Sequence, residues 1–152
     1  MTLKIPYCRQ LKEYYCGPAA LKMVLGYHRI KVSQSHLAKL IKTSKKHGTR
    51  RRVLVDVLSR FGLRPHHQIN ANFKEIQHWL KKSLPVIVNY HLKSDGHYAV
   101  VKGLTKEAII LADPFYGQHH RLDKKEFLKS WFGYHKKANR RWLLAAIGRR
   151  HI

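Results

Sequence analysis

The chain reads Gln10-Leu11-Lys12-Glu13-Tyr14-Tyr15-Cys16-Gly17-Pro18-Ala19-Ala20-Leu21 near its start, and this stretch decides the fold. Pro18 suits the first turn of a helix and strong helix formers follow it, so we predict a helix over 18–28 that begins close behind Cys16. The free N–H groups and the positive end of a helix dipole favour the thiolate form of a cysteine. The pattern therefore indicates that Cys16 is an activated nucleophile, with the amide of Gln10 six residues before it.

A cysteine in a helix is more often a small buried side chain than a nucleophile. A second polar cluster far downstream favours the nucleophile, because His97 follows Asp95-Gly96 and Asp113 precedes Pro114. Thiol chemistry needs a base for the thiol proton and a group to orient that base, and both usually come from distant parts of a chain. His97 and Asp113 are candidates for these roles, although Asp before Pro also commonly starts a turn.

Local patterns predict helices in the first part of the chain and strands in the second. Further helices are predicted at 34–41, 50–61 and 73–82, behind the candidate N-caps Ser33, Thr49 and Asn72. Short β-branched or aromatic runs follow at 85–90, 97–104, 108–112 and 142–147, with a helix from Asp123 to Trp131 before the last of them. This order predicts an α+β fold with an antiparallel sheet.

No repeat or low-complexity linker divides the 152 residues, a length typical of one domain. We expect a single domain over 1–152 with a helical lobe over about 1–82 and a sheet lobe over about 83–152. Adjacent antiparallel strands would place His97, at the start of one strand just after a turn at Asp95-Gly96, beside Asp113, at the end of the next.

These motifs resemble the papain-like cysteine peptidases that remove double-glycine leader peptides from bacteriocins and related secreted peptides, usually as the N-terminal domain of a peptide-exporting ABC transporter. The family's pattern is matched first by Gln10 and Cys16-Gly17-Pro18-Ala19, then by His97-Tyr98-Ala99-Val100-Val101, and finally by Asp113-Pro114 and Gly117. The resemblance covers almost the whole chain, which is expected here as a stand-alone domain.

The resemblance implies a papain-like α+β fold and a role for each of four residues. Cys16 would be the nucleophile and His97 the general base and later acid. Asp113 would orient His97, and Gln10 would donate to the oxyanion. No cofactor or metal is needed for this chemistry. The chain departs from the family at Tyr15, because an acidic or amide residue usually stands just before the cysteine.

The composition limits the setting of the protein. The start of the chain has no apolar stretch of the signal-peptide kind, and no run approaches the roughly 20 apolar residues of a membrane span. Cys8 and Cys16 are a poor disulfide framework, so we expect a reducing, cytoplasmic location. The pairs His66-His67 and His119-His120 lack cysteine or carboxylate partners at zinc-site spacing, which favours surface histidines over a metal site.

Thirty-one Lys and Arg residues against eight Asp and Glu residues give a formal net charge of +23. The bases form short runs at Lys45-Lys46, Arg50-Arg51-Arg52, Lys136-Lys137, Arg140-Arg141 and Arg149-Arg150. Such a field attracts nucleic acid, anionic lipid and acidic peptides, and the attraction weakens with salt. Because no helix-turn-helix, zinc-finger or aromatic RNA-binding signature is present, we expect a generally basic surface rather than specific recognition of nucleic acid.

The resemblance thus implies a cysteine endopeptidase that cuts leader peptides after a double-glycine type motif. A peptide-exporting transporter is a further expected partner. The positive charge makes the anionic inner face of a membrane another expected partner. Two other functions stay open: a catalytically idle papain-like module that docks a peptide or transporter, and a basic protein that binds nucleic acid or a membrane surface. The intact Cys16 argues against the idle module, and only the charge supports the basic binding protein.

Overall fold

The computed structural model describes residues 2–92, 95–132 and 140–148. Its elements follow one another as α1 (Cys16–Tyr27), α2 (Gln34–Leu40), α3 (Arg51–Arg60), β1 (Arg64–Gln68), α4 (Phe73–Lys81), β2 (Val86–Leu92), β3 (Asp95–Leu104), β4 (Ala108–Asp113), β5 (Gly117–Asp123), α5 (Lys124–Ser130) and β6 (Leu143–Ile147). Helices together with an antiparallel sheet confirm the predicted α+β fold. The basic runs Lys136-Lys137 and Arg149-Arg150 lie outside the described residues.

The strands form one antiparallel sheet in the order β1-β6-β2-β3-β4-β5. At its centre, β2 pairs with β3 on one side and with β6 on the other. Residues 84–90 are buried, which explains why this strand reads as a nearly continuous apolar run. The helix α1 packs against β3, so the hydrophobic core lies between α1 and the sheet.

Small residues let the start of α1 approach its neighbours closely. Residues 17–21 are all buried. A Cβ added at Gly17 would lie 2.3 Å from Thr49 Oγ1, so a larger residue would push the two segments apart. The first turn of α1 is therefore held against the loop that precedes α3.

The caps confirm three of the predicted helix starts. Ser33 Oγ accepts from His36 N, Asn72 and Glu75 form a capping box, and Asp123 Oδ1 accepts from Lys125 N. The prediction that Thr49 caps the third helix is wrong, because the N-cap is Arg50. The Thr49 hydroxyl is instead hydrogen-bonded to the hydroxyl of Thr43 at 2.7 Å.

Two strands were missed by the sequence analysis, and both lie at edges of the sheet. β1 pairs with β6 and β5 pairs with β4. Their sequences are polar and rich in histidine, because an edge strand with one neighbour is largely exposed and needs no apolar pattern. Since β1 precedes residue 82, the sheet draws strands from both parts of the chain.

The predicted turn at Asp95-Gly96 is wrong, because both residues already belong to β3. Asp95 pairs with Leu92 and Gly96 with His91 across the β2–β3 ladder. His97 is therefore the third residue of β3 rather than the first residue of its strand.

Among the helices of the described residues, none is long and apolar enough to cross a membrane.

Candidate active site

Cys16 is the first residue of α1, two residues before the predicted start, and its side chain is half-buried. The N-cap residue Tyr15 makes no side-chain capping bond, and no acidic residue lies in the first turn. This end of the helix therefore has no carboxylate of its own to neutralise its partial positive charge.

The strand register brings His97 and Asp113 together. Asp113 is the last residue of β4, and β3 and β4 pair with Val100 opposite Ala112. His97 Nε2 lies 2.8 Å from Asp113 Oδ1. The exposed fraction is 3% for His97 and 0% for Asp113, so water hardly weakens this interaction.

Four donors hold the carboxylate of Asp113. Oδ1 accepts from the backbone N–H groups of Phe115 at 2.8 Å and Tyr116 at 3.1 Å, in addition to the bond with His97. Oδ2 accepts from the hydroxyl of Tyr90. The orientation of Asp113 is therefore fixed by two strands and by the turn that follows β4.

The charges of the pair shift both pKa values. Burial alone lowers the pKa of His97, but hydrogen bonds with Asp113 and with the Cys16 thiol outweigh it, and the pKa rises to about 9. Burial alone raises the pKa of Asp113, yet the hydrogen bond and charge of His97 hold it below its usual range. At neutral pH the arrangement favours an imidazolium beside a carboxylate.

The imidazole joins Asp113 to the thiol. Because Asp113 takes Nε2, Nδ1 is the ring nitrogen left for Cys16, whose thiol is near enough to contribute to the raised pKa of His97. Burial raises the pKa of Tyr98, and the charge of Cys16 adds to this rise. Tyr98 therefore also lies near the thiol. The Tyr98 hydroxyl donates to Thr49 O at 2.8 Å, in the loop that contacts Gly17. The structure thus brings Cys16, His97 and Asp113 into one cluster.

Gln10 lies between the loop before Cys16 and the turn after β4. Its Nε2 donates to Lys12 O at 3.1 Å and to Glu13 O at 2.8 Å. Its backbone N–H donates to Pro114 O at 3.0 Å. Its Oε1 is buried and accepts no hydrogen bond within the described part of the chain. The amide therefore faces the loop that leads into the nucleophile.

Three side chains that support His97 were not singled out from the sequence. Besides Tyr90, Asn89 Nδ2 donates to His97 O at 3.3 Å, and Arg51 Nη2 donates to Asn89 Oδ1 at 2.9 Å. Sequence spacing cannot relate them to His97, because they reach it from β2 and α3 through the register of the sheet. The one available signal was the pair Asn89-Tyr90, which places polar groups inside an otherwise apolar strand.

One histidine of each pair contacts an aromatic side chain. His66 is hydrogen-bonded to Gln68 at 2.8 Å and packs against Trp79, and His120 stacks on Tyr116. Over residues 2–92, 95–132 and 140–148, no group of three or more His, Cys, Asp or Glu side chains is arranged to hold a metal ion.

Sequence comparison relates this chain to peptidases. The model of the peptidase C39 family matches residues 4–138. The mesentericin transport/processing ATP-binding protein MesD of Leuconostoc mesenteroides is 30% identical over 135 residues, 86% of this chain and 18% of that protein. The pediocin PA-1 transport/processing ATP-binding protein PedD of Pediococcus acidilactici is 32% identical over 131 residues, 82% of this chain and 17% of that protein. The chain thus spans less than a fifth of the length of these relatives.

Solved structures share the fold. The peptidase domain of Streptococcus ComA, a bifunctional ABC transporter of a quorum-sensing pathway, has a TM-score of 0.78 at 25% identity and covers 97% of this chain and 99% of that one. A double glycine motif protease from an AMS/PCAT transporter, in complex with the leader peptide, has a TM-score of 0.77 at 20% identity and covers 95% of this chain and 92% of that one.

Proposed function

Because the chain belongs to the peptidase C39 family, we propose that it is a cysteine endopeptidase that cuts the leader peptides of bacteriocin-like secreted peptides after a double-glycine type motif. The observation that carries this proposal is the buried His97–Asp113 pair, whose ring has Nδ1 left for the thiol at the start of α1. A nucleophile, a base and a group that orients the base then lie in one cluster.

The proton of the Cys16 thiol passes to His97 Nδ1 before substrate binds, which gives the imidazolium that the raised pKa favours at neutral pH, and Cys16 Sγ then attacks the carbonyl carbon of the scissile peptide bond. A ring whose pKa is about 9 keeps that proton at neutral pH and can give it to the leaving amine. Asp113 stays ionised beside the ring, because the positive charge of His97 holds its pKa low.

The attack turns the carbonyl oxygen into an oxyanion. The backbone N–H of Cys16 at the helix start and Nε2 of Gln10 are the donors that we assign to it, each worth about 3 kcal/mol in comparable hydrolases. Gln10 Nε2 would exchange its longer bond, to Lys12 O at 3.1 Å, for the oxyanion and keep the shorter bond to Glu13 O. This exchange would free one N–H of Gln10 for the transition state.

His97 then protonates the leaving nitrogen, the peptide C–N bond breaks, and the leader remains on Cys16 as a thioester. Water attacks the thioester carbonyl while His97 takes one of its protons. The C–S bond breaks, the leader leaves as a carboxylic acid, and the sulfur and His97 return to their first state. Every proton transfer in this cycle passes through one imidazole ring.

The relatives also suggest a setting for this reaction. Both are transport/processing ATP-binding proteins, so we assign a peptide-exporting transporter as partner and the cytoplasmic side of a membrane as location. The single papain-like domain over 1–152 and an attraction of the basic surface to anionic lipid are parts of the same proposal.

A cleavage assay tests the function on a synthetic precursor peptide, in which a leader that ends in Gly-Gly is followed by several further residues. Wild-type protein should release the leader with cleavage after the second glycine, and replacing both glycines by valine should abolish the cut. Cys16→Ala should lose the activity while keeping the thermal unfolding temperature.

Cys8→Ala is the matched control. Its half-buried thiol donates to Ala19 O at 3.4 Å and has no contact with His97 among the described interactions. Cleavage should therefore persist in Cys8→Ala. A Cys16→Ala protein that still cuts, or a wild-type protein that binds the peptide without cutting it, would contradict the proposed function.

A further inference from the structure

The segment of residues 7–11, here called the strap, joins the loop before Cys16 to Asp113 and the turn that follows it. Three hydrogen bonds connect it to that turn: Tyr7 OH donates to Asp113 O at 2.6 Å, Arg9 Nη1 to Phe115 O at 2.7 Å, and Gln10 N to Pro114 O at 3.0 Å. This side of the strap therefore moves with β4 and its turn.

Gln34 holds the opposite side of the strap. Its Oε1 accepts from Leu11 N at 2.8 Å, and its Nε2 donates to Arg9 O at 3.0 Å. The exposed fraction of Gln34 is 4%, and an amide so buried is tolerated only when its polar atoms are bonded. These two bonds fall on the immediate neighbours of Gln10, one before it and one after it, and Gln34 Nε2 also lies 4.0 Å from Cys8 Sγ in the strap.

The position of Gln34 is itself well determined. It is the first residue of α2, directly behind the capping residue Ser33, and α2 packs against α1. Cys16 begins α1, so Gln34 is carried by a helix that packs on the helix of the nucleophile. Gln10 lies on an irregular segment instead, where the backbone has more freedom once its bonds are removed.

We propose that Gln34 is a positioning residue, which sets the place of Gln10 relative to the oxyanion formed at Cys16. The inference rests on the proposed function, because the role of Gln10 belongs to that proposal. A shift of about 1 Å in a positioned group is enough to slow a reaction strongly. Gln34 should therefore affect the steps that build an oxyanion and leave other reactions of the thiol unchanged.

Two reactions of Cys16 separate these effects without a leader peptide. Acylation by p-nitrophenyl acetate passes through an oxyanion, whereas alkylation by iodoacetamide does not. In Gln34→Met, which keeps the length of the side chain but not its hydrogen bonds, we expect acylation to slow about tenfold and alkylation to stay within about twofold. The Cys16→Ala protein gives the background from Cys8 for both rates.

Ser33→Ala is the matched control on the same helix. Ser33 accepts from His36 N and has no bond to the strap, so its loss should lower the unfolding temperature without changing the ratio of acylation to alkylation. A double-mutant cycle with Gln10→Ala then tests the route of the effect. If Gln34 acts through Gln10, Gln34→Met should slow acylation no further in the Gln10→Ala background.

The inference is overturned if Gln34→Met slows acylation and alkylation equally, leaves acylation unchanged, or slows acylation again in the Gln10→Ala background. If Gln34→Met does not fold, Gln34→Glu takes its place, because Glu keeps the acceptor for Leu11 N. A selective loss of acylation in Gln34→Glu supports the inference, and an unchanged rate of acylation overturns it. A wild-type protein that is acylated at Cys16 but cuts no Gly-Gly leader contradicts only the proposed substrate, and the role of Gln34 is still measured.

Discussion

The two sides of the active site are built in different ways. His97 and Asp113 lie on paired strands, are almost fully buried, and are bonded to each other at 2.8 Å. Cys16 and Gln10 lie on a helix start and an irregular segment, and both are only half-buried. The side chain of Gln10 bonds to backbone carbonyls of its own loop. The proposed base is therefore arranged before substrate arrives, whereas the proposed oxyanion donor has bonds that it can exchange.

This difference has a physical reason. A proton-transfer pair gains from burial, because a low dielectric strengthens the attraction between imidazolium and carboxylate. The proposed nucleophile and the proposed oxyanion donor would have to touch a peptide that comes from solvent, so they cannot be covered. We call the side of His97 and Asp113 the rigid side and the side of Cys16 and Gln10 the adjustable side. Tyr90 and Asn89 extend the rigid side to β2, and Gln34 extends the adjustable side to α2.

The largest effect is expected from removal of the base on the rigid side. His97→Ala should lower kcat/KM by about 10⁴-fold or more, because its ring is the proposed acceptor of the thiol proton. Asp113→Asn should lower it less, by about 10²–10⁴-fold, because Tyr90 and the turn amides still hold the side chain near His97. Steady-state cleavage of the Gly-Gly leader measures both.

The order of the two variants is the decisive outcome. Equal losses would mean that Asp113 is as indispensable as the base, and the contrast between a reacting residue and an orienting residue would fail. Near-neutral kcat/KM in His97→Ala would remove His97 from the mechanism altogether. Circular dichroism of both variants shows whether the fold survives the change.

Much of the rigid side could be predicted from the sequence. His97 and Asp113 occur in strands with strong β patterns, and antiparallel pairing of consecutive strands brings their ends together. The predicted start of β3 was wrong by two residues, because Asp95-Gly96 is a common turn signal that the ladder with β2 overrides. Tyr90 was missed, because its contact with Asp113 depends on strand register and not on sequence spacing.

The adjustable side was harder to predict. The spacing of Gln10 and Cys16 indicated a relationship, yet the sequence shows nothing of the strap, whose bonds run to residues 23 and 106 positions away. The roles of all four site residues stay predictions until variants are measured. Likewise, the sequence shows Arg51 only as the middle residue of a basic run, but its guanidinium is bonded to Asn89 inside the structure.

The pH dependence of stability sharpens the comparison from another direction. The pKa of His97 is about 9 in the folded protein, above its value of about 6.5 in an unfolded chain. The stabilisation is complete below about pH 6.5 and is lost as the pH rises through 9. Urea unfolding should therefore show a fall of about 1–3 kcal/mol in the free energy of unfolding between pH 6 and pH 9.

His97→Gln is the matched control for this titration, because it keeps a donor for Asp113 but has no ionisable ring. Its free energy of unfolding should change less over the same pH range than that of the wild type. The same fall in both proteins would mean that other groups cause it and that the buried pair does not hold its proton as tightly as the geometry indicates.

The smallest effect concerns how substrate reaches the adjustable side. Arg50 and Arg52 are exposed and follow Thr49, which contacts Gly17 beside the nucleophile. If this loop attracts an acidic leader peptide, kcat/KM should fall on the order of fivefold from low to physiological salt while kcat changes little, because salt screens encounter more than buried contacts. Arg50→Gln with Arg52→Gln should flatten this slope, and Arg51 is left in place because it supports Asn89.

Lys81→Gln with Lys82→Gln, which removes the same charge from exposed residues at the end of α4, is the control for the net charge. If both double variants flatten the slope equally, the effect comes from the total charge of +23 and not from the loop beside Cys16. A slope near zero in the wild type, together with tight and salt-sensitive binding of nucleic acid of any sequence, would mean that the charge serves a polyanion unrelated to cleavage. The adjustable side of the active site would then have no electrostatic role in substrate capture. Its contrast with the rigid side would rest on the exchangeable bonds of Gln10 alone.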